Sequence, residues 1–195
     1  MLLHIKKFSE KLLLPLGKKL IKIPANFFTI LGLISSIITF FGFLFQNLLL
    51  VIILLFITEF FDQLDGVVAR LQGPTKFGAF LDSTLDRIGD FFIFTGVFFG
   101  GYTSIEISII VLIGAFLTSY TRAKIEALDA NDLYGVGLLE RTDRIPILFI
   151  GAIFQIWFLK AIFWTMIILA IGTIFTVIQR ILYAYNKFSI KKEKK

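Results

Sequence analysis

The stretch from Phe61 to Arg87, FDQLDGVVARLQGPTKFGAFLDSTLDR, places Asp62, Asp65, Asp82 and Asp86 in a chain that is 57% hydrophobic and carries 24 phenylalanines. Asp62 and Asp65 stand at i,i+3 and Asp82 and Asp86 at i,i+4, so on helices each pair projects from one side of its own helix. The segment QGPTK between the pairs holds adjacent Gly and Pro and reads as a tight turn. Two helices joined by that turn bring all four carboxylates to one depth. Four uncompensated negative charges there repel one another and are costly to desolvate, so they call for a cation. All-oxygen ligation selects Mg²⁺, Mn²⁺ or Ca²⁺, and four carboxylates can bridge two such ions about 4 Å apart, as in two-metal phosphoryl chemistry.

Outward from this stretch the chain is apolar in both directions. It has 195 residues and no Cys, and its mean hydropathy is +0.86. The expectation is an all-α integral membrane protein, since a span needs ~20 apolar residues to cross ~30 Å of hydrocarbon. Six apolar segments stand out, residues 26–46, 48–71, 77–101, 105–127, 143–158 and 161–184. Ahead of them, residues 1–22 intersperse Lys among apolar positions and predict a retained interfacial amphipathic helix. The whole of residues 1–195 is expected to be one membrane domain, with a six-helix bundle over 26–185 and a basic tail over 186–195.

A cytoplasmic N-terminus puts the turns near 72–76 and 128–140 and the tail on the inside, and the turns near 47, 103 and 159 on the outside. Of the 20 basic residues only Lys160 then faces outward, a strong positive-inside bias. The expected location is therefore the plasma membrane, with the aspartates at the cytoplasmic face. The lysines of the first helix and the tail lie along anionic lipid headgroups. Membrane lipids are the expected partners of these charges, and nucleic acid is not.

Small residues accompany the carboxylates. Gly66, Ala69, Gly78 and Ala79 leave room for a ligand or a close helix contact, and Arg70 offers a bidentate donor to phosphate. With these residues in place, the run resembles the signature of the CDP-alcohol phosphatidyltransferases: D-x2-D-G-x2-A-R, a short spacer, then G-x3-D-x3-D. Asp62, Asp65, Gly66, Ala69, Arg70, Gly78, Asp82 and Asp86 each match. The spacer is one residue shorter than the usual pattern and contains Pro74.

The resemblance implies six transmembrane helices after an interfacial helix, a homodimer, and attack of an acceptor alcohol on the β-phosphorus of a CDP-lipid with release of CMP. It implies that Asp62, Asp65 and Asp82 hold one Mg²⁺ or Mn²⁺, that Asp62, Asp82 and Asp86 hold a second, and that Asp86 is the general base. It further implies CDP-lipid contacts from Gly66, Ala69, Arg70, Gly78, a Thr matched to Thr75, and the segment IPANFFTILG, where Asn26 and Thr29 are placed. Asn26 equally fits the N-cap of the first span.

A second cluster bears on the acceptor. Arg122 and Lys124 in SYTRAKIEA, Arg141 and Arg144 in ERTDRI, and Arg180 in VIQRIL are five cations on the aspartate side. Each could instead flank a span or pair with Glu126, Glu140 or Asp143. Arg forks match phosphate oxygens, so this set is expected to bind a phosphorylated alcohol. The same segments resemble the family branch that uses inositol phosphate, the phosphatidylinositol-phosphate and archaetidylinositol-phosphate synthases. A glycerol-phosphate acceptor is the alternative within the family. The composition, rich in Ile, Phe and Lys, favours an archaeal diether lipid over a diacyl one. A cation transporter is the rival of another class, because acids within spans also line ion pathways.

Overall fold

In the computed structural model, which describes residues 3–129 and 136–189, every regular element is a helix. There are seven of these among the described residues: α1 (Leu3–Lys19), α2 (Ala25–Leu44), α3 (Leu48–Gln72), α4 (Lys76–Phe99), α5 (Ile105–Asp129), α6 (Arg141–Phe154) and α7 (Ala161–Ser189). α2, α5 and α7 are long and apolar enough to cross a membrane. α3 and α4 are as long, at 25 and 24 residues, but each concentrates its charges in the half next to their shared turn. α6 has 14 residues, about 21 Å of helix at 1.5 Å per residue. It begins at Arg141 and stops four residues short of the expected segment. The stop is built by Gln155, whose side chain donates to Leu159 O and accepts from Ile162 N at 2.9 Å, folding the chain toward α7.

Sequence signals explain the other boundaries. Asn47 caps α3 by accepting from Leu50 N at 3.1 Å. Gly73 ends α3 at φ 93°, a conformation that costs glycine little. Pro74 follows, and Thr75 opens α4 by accepting from Gly78 N at 3.0 Å. The turn between the aspartate-bearing helices is thus only Gly73–Thr75, which keeps the end of α3 next to the start of α4 while α2 packs against both.

α2 packs against both α3 and α4, α5 against α7, and α6 against α3 and α7. Small residues allow the closest approaches: a Cβ on Gly96 of α4 would lie 2.8 Å from Phe40 Cα on α2. A core through the middle of the bundle joins Phe43, Leu55, Phe94, Val111, Leu148 and Met166. A smaller cluster at the aspartate end joins Phe28, Leu64 and Val68 to Leu16 and Leu20, which seats the end of α1 on α3. Large apolar side chains such as Phe41, Phe56, Ile113 and Ile171 point away from the protein. Apolar surface of that extent fits a lipid surround better than water. Residues 1–2 and 190–195, including most of the expected basic tail, lie outside the described residues.

Candidate metal and substrate site

The last turns of α3 and the first half of α4 carry the acids to one place. Oxygens of Asp62, Asp82 and Asp86 all lie within 4.8 Å of one another. Asp65 sits deeper, 5% exposed, with its Oδ2 lacking a hydrogen-bond partner. It shares a cavity of about 40 Å³ with Thr29, Asp62, Asp86, Asp90 and Arg141. At an effective dielectric of 20, two unit charges at 4 Å interact by about 4 kcal/mol, so this group of carboxylates is strongly self-repelling without cations.

One cation comes from α6. Arg141 donates to Asp62 Oδ1 at 2.5 Å, and the same nitrogen lies against Asp86 Oδ2 as an ion contact without hydrogen-bond alignment. Arg87 on α4 is close enough for its charge to act on Asp82 and Asp86, and the four carboxylates still outnumber the two guanidiniums, which leaves the site acidic. Clustered carboxylate oxygens, two of them buried without a hydrogen-bond partner, in a chain with no Cys, are a donor set for Mg²⁺ or Mn²⁺.

A second group forms where the start of α2 meets the start of α4. A Cβ on Gly78 would come within 2.9 Å of Thr75 Oγ1 and 3.3 Å of Asn26 Oδ1, so Asn26, Thr75 and Gly78 converge. Asn26 is not the N-cap: α2 starts at Ala25, after Pro24 in the cap position. The elbow before α2 is fixed by Gln72, which donates to Ile21 O and Ile23 O, both at 2.7 Å, and accepts from Ala25 N at 3.2 Å. Thr29, one turn into α2, lies beside Asp65. Gly66 faces the Arg70 guanidinium, with Nη1 3.4 Å from its Cβ position. Ala69 is half-buried next to it, and Arg70 is exposed.

The predicted basic set divides. Arg141 reaches the aspartates. Arg144 is 1% exposed and pairs with Asp90 on α4 at 2.7 Å. Arg180 is buried on α7, where its Nε donates to Val136 O at 2.9 Å and its Nη1 to Thr118 O. Gln179 and Thr176 accept from Leu138 N and Leu139 N, each at 2.9 Å. Three neighbouring residues of α7 therefore hold the backbone that leads into α6. Arg122 and Arg144 lie close enough to Arg180 for their charges to act on it. Arg122 pairs with Glu126 at 2.8 Å, the helical neighbour expected of a flanking charge, while Lys124 is exposed on α5. None of the three buried or cavity-facing arginines takes a side-chain partner from the expected acids Glu126, Glu140 and Asp143. Asp143 instead accepts from Glu140 N at 2.9 Å and caps α6.

Asp90 was not among the expected site residues. Its signal is the continuation of the i,i+4 series Asp82–Asp86 by one further turn.

Residues 22–178 match the family model of the CDP-alcohol phosphatidyltransferases. The chain is 37% identical over 157 residues to the archaetidylinositol phosphate synthase of Pyrococcus horikoshii, covering 77% of this chain and 83% of that one. Among solved structures it resembles phosphatidylinositol phosphate synthase of Mycobacterium tuberculosis with CDP-DAG bound, with a TM-score of 0.77 and 27% identity over 90% of this chain and 94% of the other. The same enzyme with manganese and citrate superposes with a TM-score of 0.76 and 28% identity, covering 88% of each chain.

Proposed function

Because the chain belongs to the CDP-alcohol phosphatidyltransferase family, we propose that it transfers the phosphatidyl or archaetidyl group of a CDP-lipid to a hydroxyl of inositol phosphate and releases CMP. The observation that carries this reading is the convergence of Asp62, Asp82 and Asp86 beside buried Asp65 and Arg141. The relatives named for inositol phosphate products extend it to the acceptor.

Each group of residues then has a task. Asp62, Asp65, Asp82 and Asp86 hold Mg²⁺ or Mn²⁺, which when bound neutralises charge on the pyrophosphate and lowers the barrier to displacement at phosphorus. Asn26, Thr29, Gly66, Ala69, Arg70, Thr75 and Gly78 line the place of the CDP moiety, Gly78 by leaving space between Thr75 and Asn26. Asp86 takes the proton of the attacking hydroxyl. A bond forms between that oxygen and the lipid-bearing phosphorus, and the bond from this phosphorus to the bridging oxygen breaks, so that CMP leaves. Arg122, Arg144 and Arg180, with Arg141 nearest the aspartates and Lys124 at the rim, form the basic side that receives the acceptor phosphate.

The chain acts as a single membrane domain and a homodimer. α2 to α7 are its six spans and α1 lies in the interface, with the aspartate end at the cytoplasmic face of the plasma membrane. The positive-inside distribution supports that orientation.

The test is transfer by purified protein with Mg²⁺ and a CDP-lipid, with inositol phosphate, glycerol phosphate, free inositol or serine as acceptor and the lipid product identified by mass spectrometry. Product formed chiefly from inositol phosphate bears the proposal out. Product formed chiefly from glycerol phosphate replaces the acceptor while keeping the reaction, and no product with any acceptor overturns both.

A further inference from the structure

Asp90 is a buried acid that the reaction just described leaves without a task. It stands on α4 one turn beyond Asp86, 6% exposed, and lines the same cavity as Asp62, Asp65 and Arg141. Its Oδ2 accepts from Arg144 Nη1 on α6 at 2.7 Å. Arg144 is 1% exposed, and its Nε and Nη2 have no hydrogen-bond partner. On the same helix, Arg141, Thr142 and Ile145 line that cavity.

A buried guanidinium held by one nitrogen, with two donors left unsatisfied, is costly as a purely structural feature. The arrangement resolves if the two remaining donors are kept for an anion. We propose that Asp90 is a positioning residue of the acceptor site: by gripping one arm of Arg144 it fixes the guanidinium in one orientation and holds its Nε and Nη2 for the acceptor's phosphate. This rests on the acceptor reading above. A carboxylate at this point also balances the charge of Arg144 when no acceptor is bound, which keeps the arginine charged inside the bundle.

The test is a double-mutant cycle on Asp90→Asn and Arg144→Gln, with KM measured for donor and acceptor in turn and Mn²⁺ affinity measured by electron paramagnetic resonance. Asp90→Asn is expected to raise the acceptor KM about ten-fold or more while leaving the CDP-lipid KM and Mn²⁺ affinity within about two-fold. Asp90→Glu is expected to recover most of the loss. In the Arg144→Gln background Asp90→Asn is expected to add little, because the group it positions is gone. Melting temperatures of all four proteins separate loss of folding from loss of acceptor binding, and Asp90→Glu, which keeps the charge, gives the readout should Asp90→Asn unfold. Independent, multiplying losses overturn the proposal, as does an equal rise in both KM values or an Asp90→Asn enzyme with unchanged acceptor KM. If the wild type prefers glycerol phosphate, the acceptor assignment fails, and the same cycle on that substrate decides the role of Asp90 separately.

Discussion

At the scale of the residue, the four aspartates were legible because carboxylates at i,i+3 and i,i+4 in an apolar chain have few bland explanations. Their roles are not equal in space. Asp62, Asp82 and Asp86 share one point, whereas Asp65 lies behind them and is nearly enclosed. Asp86 faces Arg141 as well as the other acids, and in the proposed reaction it is the group that takes the proton of the attacking hydroxyl. Asp86→Asn is therefore expected to lower kcat by about 10²- to 10⁴-fold while CDP binding, measured by nucleotide displacement, persists. Near-wild-type turnover would remove Asp86 from the base role. What the sequence could not convey is which acid each arginine meets. Arg141 and Arg144 find Asp62, Asp86 and Asp90 through the packing of α6 on its neighbours, over separations of 79 residues for Arg141–Asp62 and 54 for Arg144–Asp90. Local spacing pointed instead to Glu140 and Asp143, and Asp143 turned out to be occupied in capping α6.

At the scale of the element, the turn Gly73–Thr75 brings the aspartate-bearing ends of α3 and α4 next to each other in the chain. A glycine in the left-handed region, a proline and a threonine cap end one helix and start the next within three residues, and each of these signals is local. The same locality explains why helix positions were readable to within a few residues. The ends of α6 and α7 are the exceptions: α6 stops four residues early because the Gln155 side chain reaches Leu159 and Ile162 across the following turn, and α7 runs on to Ser189, five residues past the expected end. Helix contacts were less legible, since a glycine in an apolar run does not announce its neighbour. Gly96→Val places methyl groups where Phe40 Cα already stands. It is expected to destabilise the protein by about 1–3 kcal/mol, read as a lower melting temperature in detergent, with residual activity falling as α2 shifts and carries Asn26 and Thr29 with it. An unchanged melting temperature would contradict the close α2–α4 packing.

At the scale of the whole molecule, three helices satisfy the simple length and composition test for a span. α3 and α4 fall outside it because their halves next to the shared turn carry Glu59, Asp62, Asp65 and Arg70 on one helix and Lys76, Asp82, Asp86 and Arg87 on the other. A chain selected only to cross a membrane would not place Asp62, Asp65, Asp82 and Asp86 there, so the weakest hydropathy marks the chemistry. The proposed orientation rests on the distribution of charge. Because the chain has no Cys, single cysteines can report it directly. A cysteine at Lys160 is expected to react with an impermeant thiol reagent added outside intact cells, and one at Lys76 only after the membrane is opened; the opposite pattern would invert the topology.

If the aspartates form a divalent-metal site that serves the CDP-lipid, metal and lipid bind together. The most direct measurement is Mn²⁺ uptake by purified protein, followed by electron paramagnetic resonance with and without a CDP-lipid, in the wild type and in a variant with Asp62, Asp82 and Asp86 all changed to Asn. The wild type is expected to bind Mn²⁺ more tightly when the CDP-lipid is present, and the variant, still folded by its melting profile, to bind neither. Equal Mn²⁺ binding by the two proteins, or CDP-lipid binding by the wild type that ignores the metal, would contradict such a site.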